Sequence, residues 1–262
     1  MEPFENIAAI FTGLLVGSFL NVVIYRLPRH ESLAFPASRC PHCGHGLRPW
    51  ENIPVMSWLL LRGRCSACGS AIAWRYPLVE LLAALLAWLA FSRAGPGWQV
   101  VPDMVFLWAL LALTIIDLET RLLPDRITKP GMAAGLLLNV SGLIWPGLGL
   151  TSPLGAVLGL LLGYGVLRLL GETYARLKGH EGMGHGDFKL LGMIGAWLGW
   201  QSMFLAIFIA AISGGTVALF HLARGKGKEY AMPFGPYLAL GGALMLLWPH
   251  EITDFYLHML GI

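Results

Sequence analysis

Charged residues are scarce in this sequence. Asp, Glu, Lys and Arg make up 13% of its 262 residues, whereas roughly 25% is usual for a soluble domain. Hydrophobic residues make up 56%, and the mean hydropathy is +0.65. This shortage of charge excludes a soluble globular domain and predicts an all-α, polytopic integral membrane protein. The net charge of +3 gives no indication of a nucleic-acid partner.

The features of a cleaved signal peptide are also lacking. The first apolar run, residues 7–25, is preceded by Glu2 and Glu5 rather than by basic residues. No small-x-small cleavage site precedes Arg26. We therefore expect this run to be retained as a membrane span.

Long apolar runs are abundant, and a membrane span needs about 20 mostly apolar residues. Eight transmembrane helices are predicted, at residues 7–26, 77–94, 102–118, 130–147, 153–171, 186–200, 203–222 and 233–249. A single helix over 186–222 would be roughly 55 Å long, too long for a bilayer, so we expect a break near Gly199. The only long polar stretch, 27–76, lies between the first two spans and contains all four cysteines.

The basic residues predict the orientation of these spans. Every Lys and Arg except Arg93 falls in or beside alternate loops. Because cytoplasmic loops carry the excess of Lys and Arg, the polar stretch is expected in the cytosol and both termini on the outer side. Asp117 and Asp187 then both emerge on the cytosolic side.

The four cysteines form two pairs, Cys40-Pro-His-Cys43 and Cys65-Ser-Ala-Cys68. Two C-x2-C pairs at this spacing are typical of a tetrahedral zinc site with four thiolate ligands. The alternatives are disulfides or unrelated thiols, and a cytosolic location disfavours disulfides. A closed four-ligand zinc ion would be structural, and it would hold together a segment too small and polar to fold on its own core.

Two aspartates stand at the boundaries of apolar runs. Asp117 ends the run 105–116, and Asp187 opens another within Gly184-His-Gly-Asp187-Phe-Lys189. Ionisable residues in membrane segments are costly and are functional candidates by default. If the two carboxylates meet, they can share one proton and activate water, as in aspartic proteases. Alternatively, Asp117 is a solvated loop-edge charge and Asp187 caps a helix N-terminus.

The order of motifs adds a family resemblance. Six motifs follow one another: Gly17-Ser-Phe-Leu-Asn-Val-Val-Ile-Tyr-Arg-Leu-Pro28, the paired C-x2-C motifs, Asn52-Ile-Pro54 with Ser57-Trp-Leu59, Arg75-Tyr-Pro-Leu-Val-Glu80, Asp117 followed by Pro124-Asp125, and Gly184-His-Gly-Asp187. Over nearly its whole length the chain resembles the bacterial prepilin peptidases, the type IV leader peptidase and N-methyltransferase family of GxGD-type aspartyl membrane proteases.

The resemblance implies an activity and its partners. Asp117 and Asp187 match the catalytic pair of the family. The implied substrates are the prepilins of type IV pili and the pseudopilins of type II secretion, cleaved after Gly at the cytosolic face of the bacterial inner membrane. The new N-terminus would then be methylated with S-adenosylmethionine. The implied partners are these substrates and the lipid bilayer, with no nucleic acid and no prediction of oligomeric state.

The resemblance also divides the chain into parts. Residues 1–26 correspond to the first transmembrane helix, 27–76 to a cytosolic zinc-binding segment with a candidate methyltransferase role, and 77–262 to the peptidase core. The resemblance adds Asn21, Arg26, Arg75 and Glu80 as candidate cofactor-binding residues. The alternative is that Arg26 and Arg75 bind lipid phosphates and Glu80 pairs with one of them.

Several further polar residues have structural interpretations. Asp125 is expected to cap the fourth span, since Asp is a favourable N-cap. Glu119 is expected to be a solvated charge. Lys189 either tunes the pKa of Asp187 or extends to the lipid headgroups.

Two histidine patterns suggest metal binding only weakly. His180, Glu181, His185 and Asp187 lack the H-E-x-x-H spacing of a metalloprotease. His250, Asp254 and His258 recur every four residues and are expected on the polar side of an interfacial helix.

Two other classes of function remain open from the residues alone. A transporter would account for eight spans and intramembrane acids, but transporter sites lie near the bilayer midplane and are often related by internal repeats. The third class is a scaffold subunit with a structural zinc ion, whose cysteine segment binds a partner protein.

Overall fold

The protein is mainly helical in the part that the structure describes. The computed structural model describes residues 3–145, 147–178, 184–224, 232–259 and 261, and no strand occurs among them beyond the isolated bridges Arg39–Gly46 and Arg64–Ala71. The predicted all-α fold is therefore confirmed. The helices are α1 (Pro3–Arg26), α2 (Met56–Leu60), α3 (Arg75–Ala94), α4 (Val100–Thr120), α5 (Asp125–Ser141), α6 (Pro153–Leu160), α7 (Leu167–Lys178), α8 (His185–Ala223), α9 (Gly235–Leu247) and α10 (Pro249–Met259).

The chain folds as two compact units, Met1–Ala112 and Leu113–Ile262. The division falls inside α4. The first unit contains the four cysteines, and the second contains Asp117 and Asp187.

In the first unit, α1 and α3 cross at very close range. Gly13 and Gly17, four residues apart on α1, face the backbone of α3. A Cβ at Gly13 would lie 2.5 Å from the Ala84 Cα, and one at Gly17 would lie 2.6 Å from the Glu80 Cα. Small residues at this spacing let membrane helices approach closely. Glu80 is thereby held at the crossing point.

In the second unit, the first half of α8 is buried on all sides. Every residue from Leu190 to Gly199 is buried, and α6 crosses this stretch closely. A Cβ at Gly159 of α6 would lie 2.3 Å from the Gly195 carbonyl oxygen, and the reverse distance is also 2.3 Å. Close packing of small residues therefore positions the part of α8 that begins with Asp187.

Helix α8 is broken at Gly199, as expected. Gly199 has φ 84° and ψ 170° inside an otherwise helical run of 39 residues, a conformation essentially restricted to glycine. The Asn139 side chain satisfies backbone groups at the break. Its Nδ2 donates to the carbonyls of Ala196 (3.0 Å) and Trp197 (3.1 Å), and its Oδ1 accepts from Leu150 and Thr151.

Five helices in the described residues are long and apolar enough to cross a membrane: Phe4–Arg29, Arg75–Ala94, Val100–Thr120, Pro153–Leu177 and His185–Ala223. Gly235–Leu247 is a shorter apolar helix. The predicted sixth and seventh spans correspond to the two halves of α8. The predicted fourth span, 130–147, lies on α5, which begins and ends earlier because Pro124 starts it and Gly142 ends it. The count of eight stays a prediction.

Candidate active site and metal centre

Asp117 lies in the last turns of α4 with only 5% of its surface exposed. The helix ends because Arg121 adopts a left-handed conformation, φ 57°, in which its N–H donates to the Asp117 carbonyl at 2.9 Å. Glycine usually occupies such a position. The chain thus turns immediately after the helical turn that carries Asp117.

The first residue of α9, Gly235, lies directly against the Asp117 carboxylate. A Cβ at Gly235 would lie 2.5 Å from Oδ2 of Asp117. That Oδ2 atom is buried and has no hydrogen-bond partner among the described residues. A buried carboxylate oxygen without a partner is costly, and such atoms often mark a functional site.

Asp187 lies in the first turn of α8 and is 9% exposed. Its N–H donates to the Gly184 carbonyl at 3.0 Å, and Gly184, not Asp187, is the N-cap residue. The capping alternative for Asp187 is therefore wrong. The positive end of the helix dipole favours a carboxylate in this first turn.

The structure brings the two aspartates into one neighbourhood. The Leu123 side chain faces both Gly186 and Gly235, at 2.8 Å and 3.3 Å from the Cβ positions that these glycines would have. Gly186 adjoins Asp187, and Gly235 lies against Asp117.

The prediction that Asp125 caps the fourth span is wrong. Pro124, with φ −63° and ψ 130°, is the N-cap of α5, and Asp125 is the first helical residue. Its carboxylate instead binds Lys129 at 2.7 Å and the Nζ of Lys189. Lys189 therefore has Asp125 as an ion-pair partner, and its two predicted roles, tuning the pKa of Asp187 or reaching the lipid headgroups, stay predictions. The spacing of 64 residues between Asp125 and Lys189 hid this ion pair from local sequence patterns.

The histidine patterns form no metal cluster in the described part of the chain, where the four cysteines are the only group that fits one. His180 and Glu181 lie outside the described residues. The His185 ring packs edge-on against Phe188 at 6.1 Å between ring centroids. His250, Asp254 and His258 are exposed on α10, as expected of a polar helix face.

The four cysteines form one compact cluster in the first unit. Their Sγ atoms all lie within 4.8 Å of one another, with 3.9 Å between Cys40 and Cys68 and 4.0 Å between Cys43 and Cys65. Four sulfurs at 2.3 Å from one zinc ion would be about 3.8 Å apart, whereas a disulfide requires about 2.05 Å. The cluster is compatible with a metal ion and excludes disulfides in this structure.

The surroundings of the cluster shift the pKa values of its cysteines in opposite directions. The His45 backbone N–H, which lowers the pKa of Cys43, is outweighed by burial and the neighbouring sulfurs, which raise that pKa to about 11. Backbone N–H groups of Cys43 and His42 lower the pKa of Cys40 to about 6, which favours the thiolate that binds metal. Nearby, the Arg48 backbone N–H donates to Glu51 at 2.8 Å, and His45 Nε2 lies 3.1 Å from the same oxygen. The Arg48 N–H, Ser66 and His45 lower the pKa of Glu51 to about 2.

Asn21 and Arg26, the two candidate cofactor residues on α1, make hydrogen bonds within the chain. Asn21 Nδ2 donates to the Tyr76 carbonyl at 3.1 Å, which ties α1 to α3. The Arg26 guanidinium donates to the carbonyls of Ser32 (3.0 Å) and Pro36 (2.7 Å) and so shapes the following loop. Both side chains therefore organise the protein, and Asn21 Oδ1 is buried without a hydrogen-bond partner among the described residues.

Glu80 holds an unusual backbone turn. It is 8% exposed, and its Oε2 accepts the Val55 N–H at 2.7 Å. Val55 has φ 60° and ψ −49°, and the Met56 N–H donates to the Pro54 carbonyl at 2.6 Å. This is a γ-turn with positive φ, a rare and strained conformation, and it is especially unfavourable for a β-branched residue.

Two cavities in the first unit adjoin these residues, with volumes of about 310 Å³ and 380 Å³. Cys40, Leu47, Asn52, Tyr76 and Glu80 line both. The larger cavity also includes Asn21 and Arg26, and the smaller includes Trp58. Arg75 lines neither of these two cavities, and its guanidinium packs over the Tyr76 ring at 4.8 Å.

Sequence patterns did not single out four residues that the structure places at these sites: Ser18, Val55, Leu123 and Gly235. Ser18 lines the larger cavity with Glu80. Leu123 and Gly235 lie between and against the two aspartates. Leu123 and Gly235 are ordinary residue types, and only long-range packing brings them to the site.

Comparisons with known proteins show the family to which the chain is similar. The family model described as "Bacterial Peptidase A24 N-terminal domain" matches residues 11–94, and the "Type IV leader peptidase family" model matches residues 104–219. A prepilin leader peptidase/N-methyltransferase of Pseudomonas putida is 43% identical over 100% of this chain and 97% of its own length. The protein of the same name from Aeromonas hydrophila is 43% identical over 97% of this chain and 95% of its own. No solved structure matches the chain significantly.

Proposed function

The chain belongs to the type IV leader peptidase family, and we infer from this that it cleaves prepilins and N-methylates the products. Its relatives are named for both activities over essentially their full length. This agreement favours a bifunctional enzyme over a transporter or a scaffold. The several long apolar helices make it a multi-pass membrane protein.

We propose that Asp117 and Asp187 are the catalytic pair of the peptidase. The observation that carries this proposal is the shared neighbourhood of two buried carboxylates from segments 70 positions apart in the chain, one of which has an oxygen without a partner among the described residues. Two carboxylates that share one site favour a single shared proton. One carboxylate is then a base and the other an acid, and the pair titrates as a unit.

The reaction follows from these two protonation states. The ionised carboxylate takes a proton from water, and the water oxygen attacks the carbonyl carbon of the leader glycine. The protonated carboxylate donates its proton to the amide nitrogen as the C–N bond breaks. The products are a leader peptide with a free carboxylate and a pilin with a free α-amino group.

The location of the reaction is also proposed. A prepilin has a basic leader and an apolar stem, so its scissile bond would lie at the cytosolic membrane surface, at the depth of the two aspartates. This requires eight spans, both termini in the periplasm and the cysteine segment 27–76 in the cytosol. The excess of Lys and Arg in alternate loops supports that orientation.

The four cysteines are proposed to bind a structural zinc ion. The sulfur separations fit tetrahedral thiolate coordination, and four protein ligands leave no open position for a substrate. The ion would fix the fold of the cysteine segment, which has only short helices of its own.

The cavities beside Glu80 are proposed to hold S-adenosylmethionine. When bound, this cofactor supplies an electrophilic methyl group. Asn21 Oδ1 and Glu80 supply acceptors for the amine and hydroxyl groups of the cofactor, and Trp58 and Tyr76 supply apolar walls. Arg75 lines neither cavity, so its contribution would be to hold Tyr76 by its cation–π contact.

The peptidase proposal is tested with a prepilin substrate in membranes. We expect Asp117→Asn and Asp187→Asn each to lower the cleavage rate by about 10³-fold or more, because each removes a proton donor or acceptor without changing shape. Glu119→Gln, an exposed carboxylate change two residues away, is the matched control and should cleave normally. Normal cleavage by either aspartate variant would remove that residue from the pair.

The cofactor proposal is tested by binding rather than by turnover. Asn21→Ala should weaken S-adenosylmethionine binding measured by calorimetry in detergent, whereas Thr12→Ala, an exposed polar residue on the same helix, should not. Cleavage of the prepilin provides a check that the Asn21 variant is folded. Unchanged affinity in the Asn21 variant would show that the cofactor binds elsewhere.

A further inference from the structure

An ion pair joins the two segments that carry the candidate catalytic aspartates. Asp125 follows the turn after Asp117, and Lys189 follows Asp187 by two residues. The Nζ of Lys189 binds Asp125 Oδ1, and Lys129 binds the other carboxylate oxygen at 2.7 Å. The pair therefore spans 64 residues of chain, whereas the contact with Lys129 lies within a single helix.

An apolar contact accompanies the ion pair. Leu123, two residues before Asp125, packs against Gly186. A Cβ built on Gly186 would lie only 2.8 Å from the Cβ of Leu123. Gly186 is the residue immediately before Asp187. The segment after α4 and the first turn of α8 are thus joined at two points, one apolar and one ionic.

Resting on the proposed peptidase function, we propose that Asp125 and Lys189 are positioning residues of the peptidase. Their ion pair holds the first turn of α8 against the segment after α4, and so fixes the separation of the Asp117 and Asp187 carboxylates. Neither residue takes part in proton transfer. Leu123 sets the same separation from the apolar side.

The burial and charge of the pair suit this role. The Lys189 side chain is 23% exposed and that of Asp125 is 42% exposed, so solvent screens the pair only in part. Lys129 and Lys189 hold the pKa of the Asp125 carboxyl below its usual range. Asp125 therefore stays ionised at neutral pH, and the pair persists under the conditions in which the enzyme works. Catalysis is sensitive to such positioning, since a shift of about 1 Å can cost roughly 10²-fold in rate.

The first experiment compares Asp125→Asn, Lys189→Met and Lys129→Met in purified full-length protein. Asp125→Asn and Lys189→Met should each lower kcat for prepilin cleavage by about 10- to 100-fold and leave KM nearly unchanged. Lys129→Met removes the same charge from the exposed partner of Asp125 and should change kcat less than about threefold. A raised KM in Lys189→Met alone would mean that Lys189 contacts the substrate, and would overturn the proposal.

The second experiment tests whether the two residues act through each other. The double variant Asp125→Asn with Lys189→Met should be no slower than the worse single variant, because both remove one interaction. In the Lys129→Met background, the exchange Asp125→Lys with Lys189→Asp should recover at least tenfold of the lost kcat. Losses that multiply in the double variant, together with no recovery in the exchange, would show that the ion pair does not position the aspartates.

Failure of this proposal is distinguishable from failure of the proposed function. Methyl transfer to a synthetic pilin peptide that already has a free N-terminus reports folding in the same molecule, and it should be unchanged in every variant of this series. If Asp117→Asn cleaves normally, the catalytic assignment fails. If Asp117→Asn is inactive while Asp125→Asn cleaves at the normal rate, only the positioning role fails.

Discussion

Each unit leaves a buried oxygen without a hydrogen-bond partner among the described residues at its candidate site: the amide oxygen of Asn21 in the first and a carboxylate oxygen of Asp117 in the second. In the first unit, the Arg26 guanidinium, the Asn21 amide nitrogen and the Glu80 Oε2 all bind backbone groups of the same unit. In the second unit, Oδ2 of Asp117 is buried with no partner in the described part of the chain. The unpaired oxygen of the first unit is a neutral amide oxygen that can only accept a hydrogen bond, whereas that of the second belongs to a carboxylate, which can also take and return a proton.

This difference predicts that the two activities fail separately. Damage to the scaffold of the first unit should impair methyl transfer, and damage near the aspartates should impair cleavage. If the two units act independently, a substitution in one unit should leave the activity of the other unit unchanged.

Loss of the metal should have the largest effect. We expect Cys40→Ser to abolish stoichiometric zinc binding, because it removes one of four thiolate ligands. The effect on folding should be large, since zinc coordination contributes on the order of 10 kcal/mol to the folding of small zinc domains. Proteolysis should become faster within residues 27–74 and stay unchanged within 113–224. The measurements are metal analysis and mass spectrometry of the proteolytic fragments.

The control for the metal is His42→Ala, which changes the same C-x2-C motif but leaves the four-sulfur cluster intact. It should retain zinc. If Cys40→Ser keeps a full equivalent of zinc, the metal assignment is wrong. If its second unit is digested equally fast, the two units do not fail separately.

A methyl group beside Asp117 should have the next largest effect. Gly235→Ala would place a carbon 2.5 Å from Oδ2, and relief of this overlap must displace the carboxylate. We expect about 100-fold slower cleavage with normal methyl transfer. Gly215→Ala is the matched control, since a Cβ there meets no atom within 4 Å. Equal cleavage rates in the two variants would contradict the position of Gly235 at the site.

Overpacking of the α1–α3 crossing should have a moderate effect on the stability of the first unit. A Cβ at Gly17 would lie 2.6 Å from the Glu80 Cα, a backbone atom that cannot move aside cheaply. We expect Gly17→Ala to destabilise the first unit by about 1–3 kcal/mol and to slow methyl transfer more than cleavage. The control Gly165→Ala introduces a methyl group with no neighbour within 4 Å. A larger loss of cleavage than of methyl transfer would contradict the assignment of methyl transfer to the first unit.

Relief of strain at Val55 should have the smallest effect. Val55→Gly removes the side chain from a residue with φ 60°, and we expect about 1 kcal/mol of stabilisation. Methyl transfer should persist because the N–H that binds Glu80 remains. Ile53→Gly, at an ordinary φ of −69°, should destabilise instead. Thermal unfolding measures both variants, and destabilisation by Val55→Gly would show that the turn is not strained.

Local sequence patterns predicted the helices and the candidate site unequally. The apolar runs predicted the helical fold and the break at Gly199, because hydrophobic length and glycine geometry act locally. The C-x2-C spacing predicted the sulfur cluster, because two such pairs supply the four ligands of a tetrahedral metal site. The predicted N-cap role of Asp125 was wrong because Pro124 takes the N-cap position, and the ion pair of Asp125 with Lys189 joins residues too far apart in sequence for a local pattern to reveal. The turn at Val55 was not predicted, because it depends on a hydrogen bond from a carboxylate on another helix.

The break in α8 has a consequence for how this chain can evolve. Bilayer lipid offers no substitute hydrogen bonds, so the carbonyls of Ala196 and Trp197 depend on one amide, that of Asn139. Replacement of Asn139 alone would leave the two carbonyls without this hydrogen-bond donor. Replacement of Gly199 alone would remove the break that the Asn139 amide stabilises. We expect natural relatives to keep or lose these two residues together. An alignment of many family members would reveal this as paired substitution.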